Sequence, residues 1–368
     1  MALANTLDAS EAQARLADWL AGVLPHVTDL AVTDVVVPQA SGISNQTVLF
    51  AAIWTEDGRR RSNDLVARLF SDGLGVLPSY PPATEYAVLT ALRSGADVGV
   101  PGLRWFEPDN AVLGGPFLVM DRVPGRTAAD DPPFTRQGWV LDLSEAQRRE
   151  LNDNALRALV RVHQAPPEVL DDVPGLHRGL SAQLALYEDF YDRVRGESRI
   201  PTIDAGIDWV RDNLPDEPET LGLSWGDARL GNLLFADDLS VAAVLDWEMV
   251  GLGAPEQDLG WWLFFNRHHT DGIGAPLPSG LYDRDETIAR YEELAGRTVS
   301  RSDVDFYEAF AALRTSVMMV RAAAIMAEAG LLPPENTLAA SNPMLHLLSV
   351  LTGVPAPSEA SSHFIGNR

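Results

Sequence analysis

From Ser10 to Leu24 apolar residues recur near helical spacing, at Leu16, Leu20 and the pair Val23 and Leu24, which predicts an amphipathic helix. Beyond Val32 the pattern changes. Val35–Val37, Thr47–Trp54 and Leu65–Phe70 read as three strands separated by Gly, Ser, Asn and charge clusters. Pro81 and Pro82 then precede a helix over Thr84–Arg93, because proline is tolerated just before and at a helix start. Phe117–Val123 is another strand-like run, closed by Pro124-Gly125. After Gly125 the pattern is mostly helical. Glu145–His163 carries apolar residues at Leu151, Ala155, Leu159 and Val162, and Leu184–Val194, Ile207–Leu214 and Asp303–Ala329 are similar. One β-rich insert, Leu223–Val250, interrupts this half, and residues 355–368 read as a polar tail.

This order predicts an α+β architecture. Residues 1–30 form a helical extension, 31–123 a small β-rich N-lobe, and 124–368 a larger, mainly helical C-lobe. Met120–Arg126 is the expected connector, and a cleft between lobes is a usual ligand site.

Composition narrows the function. A net charge of −24 disfavours nucleic acid and an anionic membrane surface as partners. No stretch approaches a membrane-spanning apolar run, and MALANTLDASEAQ does not read as a signal peptide, so a cytoplasmic location is expected. The chain has no cysteine, which excludes thiolate zinc sites and cysteine nucleophiles. It also has no lysine: all 28 basic residues are arginine. A Walker A loop and a lysine Schiff base are therefore impossible, and any phosphate-binding cation must be arginine.

The strongest chemical signal is Ser224-Trp225-Gly226-Asp227-Ala228-Arg229-Leu230-Gly231-Asn232, followed by a short hairpin that delivers Asp246-Trp247-Glu248. Asn232 and Asp246 can emerge at one end of that hairpin. An amide oxygen and a carboxylate there make a hard-oxygen site suited to phosphate-bound magnesium. The spacing from Asp227 to Asn232 resembles the catalytic loop of protein kinases, where the Asp accepts the acceptor proton and the Asn holds a metal. Arg229 stands where a cation could reach the transferring phosphoryl group, or alternatively serves the loop or the surface.

The segment from Ser224 to Trp262 resembles the signature of the aminoglycoside phosphotransferase family, within the kinase-like two-lobed fold. It is most similar to the subgroup that includes domains attached to acyl-CoA dehydrogenases. Trp225 stands where that family commonly has a loop-supporting His, and Asp258 matches a carboxylate that buttresses the catalytic loop. The resemblance implies an ATP- and Mg2+-dependent transfer of a phosphoryl group to a small-molecule hydroxyl. Asp227 would be the base, and Asn232 and Asp246 would hold the metal.

In the first lobe, the turn carrying Gly42, Ser44 and Asn45 resembles the family's phosphate-covering loop, although an ordinary hairpin turn fits the same residues. Strand alternation puts Arg68 on one face with Val66 and Phe70, where a cation needs a partner. Glu85 supplies one. It shares a helical stripe with Val88, Leu89 and Leu92, unless it is simply an exposed first-turn acid. The resemblance gives Arg68 a phosphate contact. Phe117–Gly125 resembles the hinge, with adenine meeting backbone groups of Asp121 and Val123 and with Met120 behind it.

The acceptor site is expected among residues after Asn266, together with the aromatic run Trp261–Phe265. A polycationic acceptor such as an aminoglycoside would use Asp271, Asp283, Asp285, Glu292, Glu293 and Glu308. A hydroxyacyl compound or a CoA thioester would use the aromatic side chains and an arginine such as Arg314 or Arg321. His268 and His269 are adjacent, so on a helix they do not face one metal. A nucleotide-binding regulator without transfer activity is the rival class. The intact Asp227, Asn232 and Asp246 argue against it.

Overall fold

The computed structural model describes residues 7–38, 45–70, 73–78, 80–196, 199–333 and 335–357. The chain opens with helix α1 (Ala9–Val23), N-capped by Asp8, whose side chain accepts from the amides of Ser10 and Glu11. Five strands and one helix follow: β1 (Thr28–Val36), β2 (Asn45–Glu56), β3 (Arg59–Phe70), α2 (Pro82–Gly95), β4 (Leu103–Glu107) and β5 (Phe117–Asp121). The strands form one antiparallel sheet in the order β1-β2-β3-β5-β4. Asp57 and Gly58 turn the β2–β3 hairpin, with φ of 50° and 71°. Two left-handed residues match the twist of a tight hairpin, and Asp-Gly supplies them at low cost. That turn extends both strands past their apolar cores, so Arg59, Arg60 and Arg61 lie exposed at the start of β3.

α1 is part of this lobe's core. Ala12, Leu16 and Leu20 are fully buried against Val32, Val48, Leu65 and Phe117. The other face of the sheet meets α2, where Glu85, Val88, Leu89 and Leu92 are buried as their spacing predicts.

The larger part contains α3 (Trp139–Asp142), α4 (Glu145–His163), α5 (Leu180–Val194), α6 (Pro201–Asp212), β6 (Gly222–Ser224), β7 (Leu233–Phe235), β8 (Val241–Val244), β9 (Gly251–Gly253), α7 (Glu256–His269), α8 (Arg284–Ala295), α9 (Arg301–Glu328) and α10 (Pro343–Thr352). β6 pairs with β9 and β7 with β8, each antiparallel. The result is a kinase-like fold with a five-stranded N-lobe and a helical C-lobe. The lobes are tied at the connector, where Arg126 and Phe235 exchange backbone hydrogen bonds at 2.9 Å, and where the Val244 amide reaches the Gly99 carbonyl at 2.9 Å.

α9 has one stretch apolar and long enough to cross a membrane, but 72% of it is buried inside the protein. It is the central helix of the C-lobe and packs closely on α7. A Cβ at Gly260 would collide with the Tyr307 backbone, so glycine permits the approach.

Candidate active site

The β7–β8 hairpin brings Asn232, just before it, and Asp246, just after it, to the same end. The Leu245 amide donates to the Asn232 carbonyl at 2.9 Å and fixes that juxtaposition. β6 leads into the loop that carries Asp227. Gly226 there has φ of 91°, and a Cβ would run into the Met249 carbonyl, so the turn requires glycine. Asp246 itself has φ of 60°, a left-handed backbone that persists only when its surroundings hold it.

Those surroundings are visible. Asp258, fully buried in the first turn of α7, accepts from Ser224 Oγ at 2.9 Å and the Gly226 amide at 2.8 Å through Oδ1. Its Oδ2 accepts from the Trp225 amide at 2.7 Å and lies 3.0 Å from Nε2 of His163. Nδ1 of His163 is in turn 2.7 Å from the Tyr291 hydroxyl. Asp258 thus gathers the donors of the loop, as the motif implies. Trp225 is also buried, and its indole Nε1 donates to the Leu245 carbonyl at 2.8 Å and the Asp246 carbonyl at 3.2 Å. The indole fastens the Asp227 loop to the strained Asp246 turn, a task that needs only one ring N–H. This accounts for a tryptophan serving where histidine is common.

Three donors converge on Asp227. Oδ1 accepts from Trp261 Nε1 at 2.7 Å and Arg229 Nε at 2.9 Å, and Oδ2 accepts from Asn232 Nδ2 at 2.6 Å. Arg229 also pairs with Asp130 and lies 5.3 Å from the centre of the Phe265 ring. Burial alone would lower its pKa. The carboxylates of Asp130 and Asp227 outweigh that and raise it, so it stays charged.

The N-lobe side holds a second cluster. Arg68 pairs with Glu85, with Asp246 Oδ1 at 3.0 Å and with Glu248 Oε2 at 2.9 Å. Asn45 Nδ2 donates to the same Glu248 oxygen at 3.0 Å. Burial opposes the Arg68 charge, and its three carboxylates more than offset this. Burial pushes Glu85 up, with Arg68 opposing. Burial, then the Asp246 charge, pushes Glu248 well above the usual carboxylate range, again against Arg68. One guanidinium faces three carboxyl groups, two of them pushed toward the neutral form. The unshared Oδ2 of Asp246 and the Oδ1 of Asn232 suit a hard divalent cation.

The structure therefore brings together Asn45, Arg68, Glu85, Asp227, Arg229, Asn232 and Asp246. Gly42 and Ser44 lie outside the described residues. Met120 is half-buried in β5. The Asp121 amide is spent on the Gly102 carbonyl at 2.7 Å and its carboxylate on Arg104 at 2.6 Å, so neither is left for a ligand. Among the described residues nothing accepts from the Val123 amide. Sequence alone assigns Glu248 no role beyond its place in the Asp246-Trp247-Glu248 motif, and it places Trp261 in the aromatic run at the acceptor rather than on Asp227. Glu248 follows Asp246 by two residues, and Trp261 follows Asp258 by three, one helical turn on the same face.

The expected acceptor region is in part packed into the core and in part open, with Asp271, Asp283 and Glu308 lining one cavity. Trp262 and Phe264 are buried in the core, on faces of α7 that pack against the rest of the lobe. All the expected acids except Asp285 are already engaged. Asp271 pairs with Arg267, Glu292 with Arg301, Glu293 with Arg290, and Glu308 with Arg267 and Arg284, while Asp283 caps α8. Arg321 is spent on the Leu74 carbonyl and Glu328. A cavity of about 300 Å³ between Leu263, Arg267, Thr270 and Glu308 opens on the α7 face opposite Trp261 and Phe265. Burial holds His268 and His269 down at about 3, so both are neutral, and no group of three metal-binding side chains occurs among the described residues.

The profile of the phosphotransferase enzyme family, APH, matches residues 35–296. The chain belongs to this family. It is 30% identical over 215 residues to human acyl-CoA dehydrogenase family member 11, which covers 57% of this chain but 26% of that protein. The chain thus spans less than a third of the curated relatives it matches first. A Ralstonia eutropha protein classed with the aminoglycoside phosphotransferases superposes with a TM-score of 0.62 at 26% identity, covering 92% of this chain and 95% of the other. The fold alone is shared with aminoglycoside 2'-phosphotransferase-IIIa, solved as a GDP complex, at a TM-score of 0.59 and 13% identity, covering 93% and 98%.

Proposed function

We propose that this chain transfers the γ-phosphoryl group of magnesium-bound ATP to a hydroxyl of a small molecule. The observation that carries this reading is the meeting of the Asp227 loop with the Arg68–Glu85–Asp246–Glu248 cluster across the two lobes. Asn232 and Asp246 would hold magnesium, which when bound neutralises charge on the phosphates. Arg68, steadied by Glu85, contacts the phosphates, and Asn45, the first residue of β2, stands beside them. The Asp121 carbonyl and Val123 amide receive the base of the nucleotide beside Met120. Asp227 takes the acceptor's proton as the new oxygen–phosphorus bond forms and the bond to the β-phosphate oxygen breaks, releasing ADP. Arg229, 18% exposed and clamped between Asp130 and Asp227, positions Asp227 and adds positive charge near the transferring group.

The test is calorimetric titration with ATP, with and without magnesium. Asp246→Asn should remove most of the magnesium-dependent part of the affinity. Equal affinities in all four combinations would remove Asp246 from the metal site. A screen for ADP release across aminoglycosides, sugars, choline-like alcohols and hydroxyacyl thioesters then identifies the acceptor.

A further inference from the structure

One cation near Asp227 has no role in the reaction as written. Arg314 sits in the middle of α9 at 2% exposure. No carboxylate lies within ion-pair distance among the described residues, and no oxygen accepts a hydrogen bond from its guanidinium; its Nε is buried without a partner. Its surroundings are ring faces. The guanidinium carbon is 4.4 Å from the Trp261 ring centre, 5.0 Å from Tyr187 and 5.6 Å from Phe310. Arg68 and Arg229 are less buried, and each is held by at least two carboxylates.

The contrast calls for a physical account. Stacking on rings returns only part of the cost of taking an unpaired charge out of water. The chain holds 52 acidic residues against 28 basic ones, so the missing partner does not reflect a shortage of acids. Location supplies the account. Trp261 shows one face to Arg314 and donates through Nε1 to Asp227. A single indole therefore separates this guanidinium from the proposed base.

We infer that Arg314 is the recognition point for an oxyanion, a carboxylate or a phosphate, carried by the acceptor whose hydroxyl Asp227 deprotonates. This rests on the phosphotransfer reading above. A planar guanidinium with free donors matches a carboxylate or phosphate in bidentate fashion. The same charge would repel a polycationic acceptor.

The test uses the whole chain saturated with magnesium and AMP-PNP, so that the nucleotide's own phosphate sites are filled. Sodium acetate, inorganic phosphate and sulfate are titrated at constant ionic strength against chloride while the melting temperature is read. At least one oxyanion should raise it saturably, and Arg314→Met and Arg314→Gln should abolish the response. No response in the native chain, or the same response in both variants (an adventitious ion only), overturns the proposal. Without added anion, Arg314→Met should melt no lower than the native chain, since it deletes an uncompensated buried charge. A marked drop would show a structural cation and overturn the proposal as well. Failure to bind AMP-PNP would instead sink the phosphotransfer reading, and the titration run without nucleotide would still decide Arg314. ADP release should favour glycerol 3-phosphate over glycerol and 3-hydroxybutyrate over 1,3-butanediol by about tenfold or more in kcat/KM, as expected for a lost charge-assisted bond.

Discussion

The indole Nε1 of Trp261 donates to Oδ1 of Asp227 at 2.7 Å. Together with Arg229 and Asn232 it leaves the carboxylate little freedom to rotate. Asp227→Ala should lower kcat by about two to four orders of magnitude, the usual worth of a positioned base, while calorimetry shows nucleotide binding retained. Trp261→Phe keeps an aromatic side chain but loses the donor, so the expected loss is smaller, about tenfold. Wild-type turnover in Asp227→Ala would take that residue out of the mechanism.

Arg68 and Glu85 meet across β3 and α2. Each single substitution to a neutral residue strands a charge in a site where Glu85 is 2% exposed. Single losses of about 3–5 kcal/mol in unfolding free energy are expected, and the double change should cost less than their sum by about 0.5–3 kcal/mol. A double-mutant cycle by urea denaturation reads this, repeated on kcat/KM. Additive effects on both measures would mean that the pair does not act as a unit.

Trp225 holds the Asp246 turn through two carbonyls. Trp225→Phe leaves both half-buried carbonyls without this donor and should cost about 1 kcal/mol of stability. The released turn should also raise the KM for magnesium-ATP. Trp225→His restores a ring N–H and should recover part of both losses. If histidine performs no better than phenylalanine, the hydrogen bonds are not what the indole contributes.

Glu248 binds its proton more tightly in the folded chain, chiefly through burial and then through the Asp246 charge. Its contribution to stability is full below the unfolded carboxylate value of about 4.3 and is lost as pH rises through the higher folded value. Glu85 is shifted in the same direction. Glu248→Gln should therefore flatten the fall in stability as pH rises above about 4.3 and gain on the native chain toward higher pH. Denaturation midpoints across that range check the sign. A native chain that gains on the variant as pH rises would contradict it.

Much of this protein is legible without a structure. The helix Glu145–His163 is legible from its apolar period, a local fact, and the structure adds a Ser144–Gln147 capping box at its start. Glu85 declared itself because a carboxylate on an apolar stripe must find a cation, and Arg68 stood on the matching face of a strand. β4 is not legible in the sequence, since Leu103–Glu107 is short and its burial is only partial. The Asp-Gly turn was passed over too, which shortened β2 and β3.

What the sequence determined by itself is therefore the chemistry carried by short spacings: Asp227 with Asn232, the hairpin to Asp246, the buttress Asp258, and arginine as the cation. Residues a few positions apart are placed by local geometry, so their relation survives without knowledge of the rest. Tertiary structure decided what distant segments share. It brought Glu248 to Arg68 across 180 residues, Trp261 to Asp227 and His163 to Asp258. It turned most of the helical-lobe acids toward arginines and left Arg314 without one. These outcomes depend on which faces of α7 and α9 pack together. A helical period marks a face as apolar but does not name its partner.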